Sequence, residues 1–86
     1  MIHKLKTWEY YFKEVLNGSK TYEVRKDDRG GYAVGDKLLL EEYKPDKKEY
    51  TGRNILVDIT HVLQGGEFGL EKGYVVMAIK KPEVLE

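Results

Sequence analysis

The sequence contains no cysteine, only two prolines and only two histidines. Without thiols there is no disulfide framework, no thiolate nucleophile and no cysteine-ligated zinc site, so packing alone has to stabilise the fold. An excess of one charge is also missing: 15 lysines and arginines balance 15 aspartates and glutamates. A chain with zero formal charge has no global field for polyanions, so any contact with nucleic acid must be made through a local, concentrated patch. No stretch approaches the roughly 20 apolar residues of a membrane span. The segment Met1-Ile2-His3-Lys4-Leu5 lacks the apolar run of a signal peptide. The expectation is a cytoplasmic protein without a membrane partner. His3 and His61 lie in strand-like segments with no neighbouring ligand pattern, which points to packed or hydrogen-bonded histidines and to no metal and no cofactor.

What the chain does contain is enough apolar material for one core. Of its 86 residues 41% are hydrophobic and 12% aromatic, seven of them tyrosines. This length predicts a single domain over 1–86, with 81–86 as a tail, and a monomer is assumed. Met1 to Leu5 alternates like a short strand, and Thr7 is a residue type suited to capping a helix. Trp8, Tyr11, Phe12, Val15 and Leu16 recur at spacings of three and four, which predicts an amphipathic helix whose stripe is a core face. Asn17-Gly18 ends it.

Strands are predicted at Thr21 to Arg25, Lys37 to Tyr43, Ile55 to Leu63 and Tyr74 to Ile79, the last as a central strand covered on both faces. In the third of these, Ile55, Val57, Ile59, His61 and Leu63 should share one face. Turns are expected at Asp27 to Gly31 and Val34 to Asp36, and an exposed hairpin loop at Lys44 to Glu49, across which Tyr43 and Tyr50 pair. The glycine-rich stretch after Leu63 should fold back so that Phe68 and Leu70 plug one end of the sheet. Its glycines lack the strand-to-helix context of a phosphate loop. The fold class is α+β, mostly β, with five or six short strands and one N-terminal helix. So few residues favour closure into a small mixed β-barrel over a two-sheet sandwich.

The segment from Gly18 to Arg25 carries the most chemistry. Glu23 and Arg25, two apart on a strand, emerge on one face, and Lys20 at the strand entrance can lean over it. Two readings of this trio stand: a surface ion-pair cluster at a sheet edge, or a site that binds an anion and a hydrogen-bond donor side by side. Trp8 and Tyr11 read as core residues, with the alternative that Trp8 walls a cleft and stacks on a base.

Five segments carry a family resemblance: His3 to Thr7, GSKTYEVRKDDR from Gly18 to Arg29, Val34 to Asp36, Tyr50 to Arg53, and Gly69 to Val76. Together they resemble the ASCH group of the PUA-like superfamily, most closely a small bacterial and phage branch described only as a domain of unknown function. The group's signature of glycine, lysine, glutamate and arginine is matched by Gly18, Lys20, Glu23 and Arg25. The resemblance implies a PUA-like barrel with a cleft between helix and sheet and a role in binding RNA or a nucleotide-like ligand. Lys20, Glu23 and Arg25 would form the floor, Arg29 and Arg53 would lie near the rim, and Trp8 and His3 would line it. A few ASCH-like proteins are similar to an amidohydrolase acting on N4-acylated cytidine through a lysine, a threonine and a glutamate. Carried over, that set is Lys20, Glu23 at the threonine position, and Glu67. Thr21 follows the lysine directly and does not match.

Overall fold

The computed structural model describes residues 1–27 and 31–81. Alternation builds its first strand, β1 (Ile2–Trp8): His3, Leu5 and Thr7 point inward while Ile2, Lys4, Lys6 and Trp8 point out. The strand runs past the expected Leu5 because all seven of its residues pair in parallel with β3 (Lys37–Lys44), from Ile2 opposite Lys37 to Trp8 opposite Tyr43. Thr7 therefore does not cap the helix. It is the last inward residue of β1, and its hydroxyl donates to the Leu5 carbonyl at 3.2 Å.

Trp8 occupies the cap position of α1 (Glu9–Leu16) without a side-chain cap bond. The helix packs against β1 and β3. Eight residues give it little more than two turns, so the core face narrows to Phe12 and Val15. Trp8, Tyr11 and Leu16, expected inside, stay exposed. Gly18 takes φ 86°, and the Lys20 amide donates back to the Glu14 carbonyl at 2.9 Å. This reversal delivers the chain into β2 (Tyr22–Lys26).

The remaining strands are β4 (Glu49–Gln64) and β5 (Tyr74–Lys80). The five form one mixed sheet in the order β1-β3-β4-β5-β2, with β1 and β3 parallel and the other neighbours antiparallel. The expected closure into a barrel is not made by backbone pairing, because β1 and β2 remain the two edges of the ladder. The core lies on the sheet's inner face, under α1. Leu38, Leu40, Val57, Val75 and Met77 are fully enclosed there together with Phe12, each contributing roughly 1.5–3 kcal/mol of apolar burial.

Three local expectations are corrected. In β4 the register shifts between Ile59 and His61. The extra residue flips the alternation, so Val57 and Ile59 face the core, Val62 packs against it, and His61 and Leu63 turn outward. In β5 only Val75, Met77 and Ile79 are buried, and the opposite face is half-covered. Phe68 plugs nothing: it sits on the loop before β5 at φ 56° and 86% exposed.

That loop is tied down by Gly65, whose amide donates to the Tyr74 carbonyl at 2.8 Å. A Cβ at Gly65 would lie 2.0 Å from the Glu71 carbonyl oxygen. Backbone has to move to make room, so Gly65→Ala should destabilise the protein by about 1–3 kcal/mol or more in urea unfolding. The exposed substitution Lys47→Ala should leave the midpoint unchanged. Equal midpoints for Gly65→Ala and the parent would show that the loop yields freely.

Candidate functional site

β2 turns its polar side inward. Glu23 lies opposite Met77 and Arg25 opposite Val75, so both share the core face of the sheet, while Tyr22 and Val24 are half-exposed outside. An edge strand can present charges inward only if each is paired. Here Glu23, 3% exposed, takes the Nε and Nη2 of Arg25 on its Oε1 at 3.0 and 2.8 Å and the Lys20 ammonium on its Oε2. Lys20 also donates to the Tyr22 carbonyl at 2.6 Å and stands 4.8 Å above the centre of the Tyr22 ring.

Arg25 then reaches the far edge of the sheet. Its Nη1 donates to the Lys6 carbonyl at 3.0 Å and its Nη2 to the Thr7 hydroxyl at 3.2 Å. A guanidinium thus stands in for the ladder that β1 and β2 do not form. Beside this bridge opens a cleft of about 500 Å³, within the range of roughly 300–1,000 Å³ typical of small-molecule sites. Lys20, Glu23 and Arg25 line it on the β2 side. Trp8 and Tyr11, 52% and 47% exposed, line it where β1 passes into α1.

The polar groups of the cleft are not exhausted by their mutual bonds. An ammonium has three N–H donors and a guanidinium five. Among the described residues, Lys20 uses two and Arg25 four. One donor on each is left for a ligand, and two cations face one carboxylate. Aromatic rings flank this locally positive floor, although the whole chain is neutral.

The other sequence-predicted residues lie elsewhere or are not described. His3 is buried, its Nε2 2.8 Å from Asp36 Oδ2 and its ring 4.7 Å from that of Tyr32. This contact, with the Ala33 amide and the N-terminus, holds the Asp36 carboxyl below its ordinary range. Arg53 does not line the cleft. Its Nε and Nη2 donate to Glu42 at 2.9 and 3.0 Å, and its guanidinium lies 5.3 Å from the Phe12 ring. Glu67 closes a turn through its carbonyl to the Leu70 amide and is not among the cleft residues. Arg29 falls outside the described residues.

Five contributors were missed by sequence reasoning: Thr7, read as a cap, and Tyr11, read as core, line the cleft, as do Lys6, Tyr22 and Val24. Spacing carried one usable signal: Trp8 and Tyr11 stand one turn apart at the start of a helix too short to bury five large side chains.

A family model described as a domain of unknown function, DUF3850, matches residues 2–79. The chain is also similar to a protein of Escherichia phage P2 whose name reads uncharacterized 12.9 kDa protein in GpA 3′ region. The two are 43% identical over 61 residues, covering 71% of this chain and 53% of the phage protein. The chain therefore spans about half the length of that curated relative. Lys20, Glu23, Arg25, Trp8 and Thr7 all fall within the segment that the family model matches.

Glu42 provides a pH test of the inner polar layer that Thr7 shares across the β1–β3 ladder. The Arg53 hydrogen bonds, outweighing burial and aided by the Thr51 hydroxyl, lower its pKa from 4.5 to about 2. Unfolded chains bind a proton at Glu42 first as the pH falls, so its contribution is complete above about 4.5 and lost progressively toward 2. Urea unfolding between pH 5 and pH 2 should show this loss, and Arg53→Gln should flatten the slope. An unchanged slope in the variant would mean the pair does not govern acid stability.

Proposed function

The chain belongs to the DUF3850 family, and we propose that its cleft binds RNA or a nucleotide-like ligand. The observation that carries this reading is the paired trio Lys20, Glu23 and Arg25 on the floor of a cavity of about 500 Å³ walled by Trp8 and Tyr11. The remaining N–H groups of Lys20 and Arg25 suit a phosphate or a base carbonyl, and Glu23 orients both cations. Trp8 and Tyr11 offer faces on which a base stacks, worth about 1–3 kcal/mol for each base. The resemblance to the ASCH group of the PUA-like superfamily supports the same reading. A curved five-stranded sheet with its edges bridged by a side chain is compatible with a partly open barrel of that type.

Binding is favoured over hydrolysis by the residue at the threonine position of the amidohydrolase set. That position is Glu23 here, and both its carboxylate oxygens are taken by Arg25 and Lys20. Glu67, the third member of the set, does not line the cleft.

Titration of the four ribonucleoside monophosphates and a random-sequence octaribonucleotide at about 0.15 M salt tests the reading. Lys20→Ala and Trp8→Ala should each weaken binding by about tenfold or more while keeping a cooperative thermal transition. Variants that fold and bind like the parent, or a parent that binds none of these probes, would overturn it.

A further inference from the structure

The cleft is continuous with an aromatic row on the outer face of the sheet. Trp8, which walls the cleft, lies opposite Tyr43 in the β1–β3 ladder, and Tyr43 lies opposite Tyr50 in the β3–β4 ladder. Three aromatic residues therefore stand side by side on three adjacent strands, spanning roughly 10 Å across the sheet. The Tyr43 and Tyr50 rings meet edge to face at 5.0 Å. Trp8 and Tyr50 each keep about half of their surface open, at 52% and 53%.

Positive charge accompanies the row. The Lys6 ammonium stands 4.3 Å above the Tyr43 ring, and Lys4 is exposed on the same side of β1. Beyond Tyr50, Lys44 at the end of β3 and Lys47 and Lys48 in the β3–β4 loop stand with Asp46 and Glu49, and Glu41 lies opposite Lys6 in the β1–β3 ladder. Five lysines, at 4, 6, 44, 47 and 48, against the carboxylates of Glu41, Asp46 and Glu49 leave a local excess of positive charge where the exposed aromatics line up, on a chain that is neutral as a whole. An apolar partner face would have to strip water from these ammonium groups at a desolvation cost, whereas a polyanion with stacking bases satisfies both features.

We infer that the ligand leaves the cleft at Trp8 and continues over Tyr43 and Tyr50 as a single-stranded nucleic acid. This deepens the nucleotide-binding reading of the cleft and rests on it. One nucleotide occupies the cavity, and two or three more lie along the row, as bases do on other sheets that carry aromatic side chains on adjacent strands. Lys6 and the lysines of the β3–β4 loop hold the backbone. RNA and DNA share this chemistry, and only contacts to the ribose 2′-hydroxyl separate them.

Fluorescence anisotropy and calorimetry on the full chain test the inference with nucleoside monophosphates and with RNA and DNA octamers of random sequence. The octamer should bind at least tenfold more tightly than the best monophosphate. Tyr50→Ala should remove about tenfold of octamer affinity and leave monophosphate binding unchanged. Tyr50→Phe, which keeps the ring, should behave like the parent. Preference for the RNA octamer, or equal binding of the DNA octamer, supports the inference and identifies the sugar. An octamer that binds no better than a monophosphate, or that ignores Tyr50→Ala, overturns the inference while leaving the cleft reading intact. Failure of every probe to bind overturns both.

Discussion

The guanidinium of Arg25 does what the backbone of this sheet does not. The ladder ends at β1 on one side and β2 on the other, and Arg25 spans the gap with hydrogen bonds to the Lys6 carbonyl and the Thr7 hydroxyl. A continuous ladder there would leave no opening. A gap without the bridge would leave two exposed edges, each a template for unwanted strand pairing. The side chain keeps the edges in register at a distance that backbone pairing would not, and the cleft occupies the difference.

That arrangement requires Glu23. Arginine on the inner face of a β-sheet is tolerable only with a carboxylate partner, and Glu23 supplies it, accepting two guanidinium N–H groups on Oε1 while holding Lys20 on Oε2. Burying such a group gains little net stability, since desolvation offsets much of the attraction. Its consequence is geometric: the two cations are immobilised side by side before any ligand arrives. The same device recurs nearby, where Glu42, 3% exposed, is matched by Arg53 and Thr51 under Phe12. That pair lies outside the cleft, whereas both cations around Glu23 line it.

Periodicity read much of this protein correctly and misread it where one contact outranked a local preference. The five strands and the single helix follow from alternation and from three-and-four spacing. Thr7 was misplaced because capping preference is a local property, whereas seven successive pairings with β3 are collective. The helix stripe was overestimated because spacing gives direction and not the area available beneath. Face assignment failed in β4 beyond residue 59, where a bulge adds a residue that no residue type announces. In β2 the apolar residues Tyr22 and Val24 were on the side opposite to the core, since an edge strand can exchange hydrophobic burial for a fully paired ionic layer.

The chain by itself determined, through alternation, that side chains 23 and 25 emerge together and, through a glycine turn, that Lys20 comes to their strand. Only tertiary structure decided that this face is the inner one, that Thr7 and the Lys6 carbonyl receive Arg25, and that His3 and Arg53 are spent on Asp36 and Glu42. The reason is range. Backbone geometry ties a residue to neighbours two to four positions away, so it is legible in one dimension. The partners of Arg25 lie 18 and 19 residues upstream, and they meet it only because the sheet curves its two edges toward each other.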